Sequence, residues 1–289
     1  MMIERMVVLR VVLRKMRSLR LLVLPGFLYL GLTAACAGNP QAKLPPPGSA
    51  EPDKFLFDRG NEELAKKHWF AAREYFRNVV DRYPQSAVRP DAKLALGDTY
   101  LAENSAESRV LAVNEYQEFL SYFPTHPRAD YAQFKIAYAH YKQMLKPQRD
   151  QTETREAVSQ FEAFSKRFPN SKLRPDADKY YRESRDRLSQ AEFEVGVFYT
   201  RVKWCPGAVD RFDQILKVDP QFTNRDGVYY YMAECYFLAK QNALALPYYD
   251  RLVKEFTSSQ YLEKAKKRVA EIKAVGPKGP GSQPSPSQN

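Results

Sequence analysis

G-N-E-E-L-A-K-K-H-W-F-A-A-R-E-Y-F-R-N-V-V-D-R-Y-P, residues 60–84, holds the pattern that decides the fold. Gly60, Ala72, Phe76 and Pro84 stand at successive offsets of twelve, four and eight. Gly196, Ala208, Phe212 and Pro220 repeat those offsets, and so do Ala233, Ala245, Tyr249 and Thr257, with Thr in the proline slot. Ala157, Phe161 and Pro169 repeat the second half, behind Ala137 and His140. Gly97 and Tyr100 lead to Ala112, Tyr116 and Pro124 after a turn three residues longer. Self-similarity of this kind marks helix pairs that stack on their neighbours. Apolar residues recur at three and four, as in Phe70, Tyr75, Phe76, Val79, Val80 and Tyr83, with scarcely a strand signal.

The expected fold is therefore all-α, a solenoid of about five helix pairs over residues 53–274. Small residues at the Gly60 and Ala72 positions let paired helices approach, Phe76 is expected to fill the gap towards the next unit, and Pro84 ends the second helix. A loop is inserted around Lys146–Thr154. An extra helical stretch, Pro175–Glu192, is interposed ahead of repeat four and runs on into the helix with Gly196. Leu262, Ala265, Val269 and Ile272 share one face of a last, capping helix.

Outside the repeats the chain changes character. Arg5, Arg10, Arg14, Lys15, Arg17 and Arg20 precede an uncharged apolar run from Leu21 to Ala35, the layout of a secretory signal over residues 1–35. Met16 is an alternative start that gives a shorter basic region. The run closes in Leu32-Thr33-Ala34-Ala35-Cys36, which resembles the bacterial lipobox. That resemblance implies diacylglyceryl and N-acyl lipid on Cys36, against the plainer alternative of an ordinary signal with an incidental Cys. Several acyl chains at roughly 0.8 kcal/mol per buried CH₂ make a stable anchor. Ala37 follows the Cys where Asp would favour inner-membrane retention, so the outer membrane is the expected destination. Residues 36–52 are Pro-rich and read as a lipidated tether, and 275–289 as a disordered tail.

Removing residues 1–35 takes away six basic residues and Glu4, so the formal net charge falls from +11 to +6. Much of the basic excess is export signal. What remains is interspersed with acids, as in R-E-S-R-D-R at 182–187, and reads as a solvated helix face rather than a nucleic-acid surface. Cys205, before Pro206, and Cys235, within a helix, are either a disulfide or two separate thiols, which spacing leaves open.

Catalysis is not indicated. His68, His126 and His140 are the only histidines, none with a metal-like partner at three or four residues, and no nucleophile–base set or phosphate loop exists. No cofactor or metal is expected beyond the lipid. The first helices of the pairs line the concave face of such a solenoid, and here they are rich in Tyr. Tyr131, Tyr138 and Tyr141 are examples, as are Tyr229, Tyr230 and Tyr231. Tyr offers large contact area with a polar tip, suited to a peptide groove, although any single Tyr is more simply an inter-repeat packing residue.

The units resemble tetratricopeptide repeats, with a small residue eight in, an aromatic eleven in (Tyr100, Tyr199, Tyr236), Ala at twenty, an aromatic at twenty-four and Pro at thirty-two. Longer stretches carry a sharper resemblance. D-R-Y-P-Q-S at 81–86, F-P-T-H-P-R-A-D-Y-A at 123–132, E-A-V-S-Q-F-E-A-F-S-K-R-F-P-N-S at 156–171 and D-R-L-S-Q-A-E-F-E-V-G-V-F-Y at 186–199, with the interposed helix and lipid Cys, resemble the BamD family of outer-membrane assembly lipoproteins. The resemblance implies a subunit of the β-barrel assembly (BAM) machinery on the periplasmic face of the outer membrane. Such a subunit binds a periplasmic POTRA domain of BamA and unfolded β-barrel precursors, and other Bam lipoproteins are further candidate partners. Tyr83 in D-R-Y-P matches the family's precursor-receiving tyrosine, and Arg211 in A-V-D-R-F matches its BamA-coupling arginine. From the residues alone, Tyr83 is a wedge between repeats and Arg211 a surface ion pair. The Pro-rich tail and the W-C-P turn (Trp204–Pro206) depart from the family pattern. A Tol–Pal type envelope or cell-division repeat protein is the alternative; a coiled coil before the repeats would favour it, and residues 37–52 are Pro-rich and show none.

Overall fold

The computed structural model describes residues 44–275. The signal, Cys36, the start of the tether and the tail beyond Val275 lie outside the described residues. The described residues form eleven helices and no strand. In chain order these are α1 (Pro52–Ala65), α2 (Trp69–Arg82), α3 (Arg89–Glu103), α4 (Ala106–Tyr122), α5 (Ala129–Tyr141) and α6 (Thr152–Arg167). They continue as α7 (Arg174–Arg201), α8 (Cys205–Val218), α9 (Arg225–Leu238), α10 (Asn242–Glu255) and α11 (Leu262–Val275). Each packs on its chain neighbour, giving pairs α1/α2, α3/α4, α5/α6, α7/α8 and α9/α10, with α11 closing the stack on α10.

The recurring small and aromatic residues meet within a repeat. A Cβ on Gly60 would lie 2.5 Å from the Phe76 ring, one on Gly97 2.6 Å from Tyr116, and one on Gly196 2.5 Å from Phe212. Phe76 therefore seats on the first helix of its own pair, rather than reaching only for the next unit as the spacing suggested. The ring is as large as the groove beside a glycine allows, so the two residues are one packing device split across two helices.

The turn inside three of the pairs is a Schellman closure. In repeat four Trp204 N–H donates to Tyr199 O at 2.9 Å and Lys203 N–H to Thr200 O at 3.1 Å. Lys67, Lys203 and Lys240 take the left-handed position there, with φ of 62°, 61° and 60°. Between repeats a different turn recurs. Ser86, Ser171 and Ser259 each accept, through Oγ, the backbone N–H two residues on, at 3.1, 3.1 and 3.0 Å. His126 does the same with Nδ1, accepting from Arg128 N–H at 3.2 Å. Ser171 and Ser259 also donate to Asp130 and Asp226, in the first turn of the preceding repeat's first helix, at 2.5 Å each. His126 has no hydroxyl to give, and Asp91 accepts from Arg128 at 2.8 Å instead. His126 therefore has a specific structural job in this turn.

The interposed stretch and the first helix of repeat four are one continuous 28-residue helix, α7. At 1.5 Å per residue it is about 42 Å long, twice its counterparts. It packs on α6 and on α8. Its R-E-S-R-D-R run is not a solvated face. Arg182 grips Asp219 with two nitrogens at 2.8 and 2.5 Å, Arg185 donates to Val218 O at 2.5 Å, and Arg187 to Leu145 O at 2.7 Å. Periodicity alone could not reveal these acceptors, because each lies more than thirty residues away in sequence. No helix of the described residues is long and apolar enough to cross a membrane.

Candidate partner-binding cleft

A recess lies beside α7 and α8. A cleft of about 630 Å³ opens there, its walls including Gln151 and Arg155 at the start of α6, Glu192 and Tyr199 of α7, and Trp204 and Arg211 at and within α8. A second depression of about 1050 Å³ shares Gln151, Arg155, Glu192 and Tyr199 with it and continues past Phe198 to Tyr231 of α9.

Local rules explain how α8 presents these groups. Pro206 stands in the first turn, where a missing N–H is harmless. Trp204 is the residue before the helix. Its ring packs edge-on to Tyr199, centroids 4.6 Å apart, and lies over Gly207, where a Cβ would approach to 2.7 Å. One side of the indole is therefore clamped while the residue remains 53% exposed. Ala208, Phe212 and Ile215 face the core. Arg211, next to Phe212, is turned outward into the cleft.

Arg211 Nη1 donates to Glu192 Oε2 at 2.7 Å, and both side chains are 45% exposed. The Glu192 hydrogen bond and charge, with a smaller contribution from the Tyr199 hydroxyl, hold the guanidinium above its usual pKa. Arg211 is thus a fixed cation with a fork of donors only partly used, beside an aromatic wall. Such a site suits a carboxylate-bearing protein surface.

Tyr83 sits elsewhere. It ends α2, with its N–H donating to Val79 O at 3.1 Å and its carbonyl accepting from Ser86 N–H at 3.0 Å. The side chain is half-buried. Tyr83 and Arg211 belong to repeats one and four and form no common site. Cys36 lies outside the described residues.

Most of the tyrosines turn inward to neighbouring helices. The Tyr116 and Tyr131 hydroxyls both donate to Asp98 Oδ1 at 2.7 Å, joining repeats two and three; burial and the nearby carboxylate push both phenols above their ordinary pKa. Tyr138, Tyr141 and Tyr180 form a ring cluster between α5 and α7, with centroids 4.7 to 5.9 Å apart. Tyr230 stacks on Tyr261 at 4.7 Å. His140 and His68 pair with Glu153 and Glu63 at 2.8 and 2.7 Å. Among the described residues no group of three His, Cys, Asp or Glu is placed to hold a metal ion. Sequence reasoning missed Glu192, Tyr199 and Trp204 as walls of the cleft. The unusual W-C-P turn was the one signal available.

A family model described as "YfiO: Outer membrane lipoprotein" matches residues 49–247, which span the cleft and Tyr83 alike. The chain belongs to this YfiO family of outer membrane lipoproteins. Among similar curated proteins, the outer membrane protein assembly factor BamD of Caulobacter vibrioides is 27% identical over 74% of this chain and 71% of its own length. BamD of Xylella fastidiosa is 23% identical over 59% of this chain, which spans 61% of that relative. BamD of Haemophilus influenzae is 24% identical over 81% of this chain and 88% of its own. The resemblance read from the repeat junctions and the interposed helix is borne out by this YfiO membership. The crystal structure of MamA protein aligns with a TM-score of 0.33 and 15% identity, over 75% of this chain and 96% of that one. The fold rests on the helix pairs themselves.

Proposed function

We propose that this YfiO-family protein is an assembly factor for outer-membrane β-barrel proteins, acting as a lipid-anchored scaffold of the BAM machinery. In this reading acylated Cys36 confines the chain to the periplasmic face of the outer membrane, and the tether gives the repeats reach. Repeats one and two, around Tyr83, receive unfolded precursors. The α7–α8 cleft holds a periplasmic domain of BamA. The chemistry is placement, since confinement raises effective concentration without requiring tight single contacts.

The observation that carries the reading is Arg211, a half-exposed cation in a cleft walled by Tyr199 and the clamped indole of Trp204. Arg211, which the resemblance matches to the family's BamA-coupling arginine, is a guanidinium beside rigid aromatics, an arrangement that supports the reading. Similarity to the named BamD proteins supports the same role. The test is purification of the native protein from membranes in mild detergent. BamA is expected to co-purify, and Arg211→Glu is expected to remove it while leaving the helical content unchanged. Wild-type protein free of BamA would overturn the reading.

A further inference from the structure

Cys205 opens α8 and Cys235 lies three residues before the end of α9, and neither has a role in the scaffold described above. Both belong to one packed cluster with Phe193, Val197, Phe212 and Met232, in which Cys205 packs from the rim and Cys235 is 1% exposed. The W-C-P turn holds the first thiol in place: Trp204 is pinned by Tyr199 on one side and Gly207 on the other, and Pro206 fixes the backbone that follows. The second thiol is oriented by Thr200 Oγ1, 3.6 Å from Cys235 Sγ. The two sulfurs are present as free thiols.

We infer that Cys205 and Cys235 are a disulfide-forming pair that staples the start of α8 to α9 in the mature, exported protein. An outer membrane lipoprotein passes through an oxidising compartment, where facing thiols persist as disulfides. The third cysteine, Cys36, is the lipidation candidate, which leaves these two as partners for one another.

Accessibility orders the chemistry. Cys205 is half-exposed, and its thiolate attacks one sulfur of an incoming protein or small-molecule disulfide oxidant, displacing the other sulfur as a thiolate. Cys235 then loses its proton to solvent, attacks Cys205 Sγ of the mixed disulfide and displaces the oxidant's remaining sulfur as a thiolate. The pair gives up two electrons and two protons, and the two sulfurs of the oxidant take up both, the protons by way of solvent. Burial, reinforced by the neighbouring Cys205 thiol, pushes the Cys235 thiol up to about 12. Cys235 is therefore a poor first nucleophile, and it reacts once Cys205 has been activated beside it. The bond closes a loop of about thirty residues, long enough to restrain the unfolded chain strongly. It also anchors the turn that carries Trp204. The inference stands on the thiols and the compartment, and it holds whether or not Arg211 contacts a partner.

The test is a thiol map of full-length protein isolated from the cell envelope, quenched in acid and alkylated with N-ethylmaleimide without reductant. The expected product is tryptic peptide 204–211 linked to 226–240, neither alkylated, with both labelled after reduction. Alkylation of both peptides in the unreduced sample would overturn the inference. A second readout uses purified protein oxidised by glutathione disulfide. Reductant is expected to lower its Tm by roughly 5–10 °C and to leave Cys205→Ser unaffected. A wild-type Tm indifferent to reductant would count equally against it.

Discussion

Arg182 on α7 and Asp219, the residue that ends α8, are joined by two hydrogen bonds of 2.8 and 2.5 Å. The carboxylate is 3% exposed and takes a third hydrogen bond from Ser189 at 2.6 Å. This clamp fixes the far end of the helix that carries Arg211. Burial alone would raise the Asp219 pKa, but the hydrogen bonds from Arg182 and Ser189 outweigh it and hold the carboxyl below its ordinary range. Asp219→Asn is expected to lose about 1–3 kcal/mol at pH 7 in urea unfolding, since it leaves the Arg182 guanidinium with Asp186 as its one remaining carboxylate partner. A depressed folded pKa means the stabilisation is present above the ordinary carboxylate pKa, about 4, and fades as pH falls through the lower folded value. The gap between wild type and variant therefore closes in acid. A gap that widened below pH 4 would contradict the clamp.

Gly60 and Phe76 define a second test. A Cβ at Gly60 would sit 2.5 Å from the ring, so Gly60→Ala must displace Phe76 from its groove. The expected loss is about 1–3 kcal/mol, against the gain of helix propensity that Ala normally brings. Phe76→Leu in the same chain should recover part of it, and a double-mutant cycle from thermal melts measures the coupling. Additive effects would show that the two residues do not share a groove.

His126 predicts an unusual tolerance. Because its Nδ1 accepts the same backbone bond that Ser86, Ser171 and Ser259 accept with a hydroxyl, His126→Ser should restore the turn of the other repeats. A change within about 1 kcal/mol is expected, while His126→Leu leaves the Arg128 N–H without its partner and costs about 1–2 kcal/mol more. Equal melting curves for the two variants would rule out the backbone bond as the reason for a histidine there.

The Arg211–Glu192 pair separates stability from recognition. Both groups are 45% exposed, so Arg211→Glu alone should change folding stability by less than about 1 kcal/mol. Exchanging the charges, Arg211→Glu with Glu192→Arg, restores the ion pair with its polarity reversed. Calorimetric titration with the purified periplasmic domains of BamA is expected to show binding lost in both variants. Recovery of binding in the exchanged pair would mean that the cleft needs only an intact ion pair and no cation at position 211.

The repeat architecture was readable because its determinants are local. Gly60, Ala72, Phe76 and Pro84 lie within one helix pair, and the same physics of close approach and chain termination applies to each copy. Even the fusion of the interposed stretch with the Gly196 helix was visible, since nothing between Glu192 and Gly196 breaks a helix. The charge run at 182–187 was misread because its partners, Asp219, Val218 and Leu145, are remote in sequence. The direction of the Phe76 ring was misjudged because spacing says that an aromatic is buried, and not which neighbour it meets.

By itself the sequence determined the all-α stack of repeats, which depends on residue types at fixed short offsets, and the family, which the longer junction stretches carry. The tertiary structure alone decided that Arg211 pairs with Glu192, that Trp204 is clamped into the wall of a cleft, and that Cys205 and Cys235 pack in one cluster. Those relations join side chains on α7, α8 and α9, and which residue of one helix meets which of another is set by packing between helices and not by residue types at short offsets.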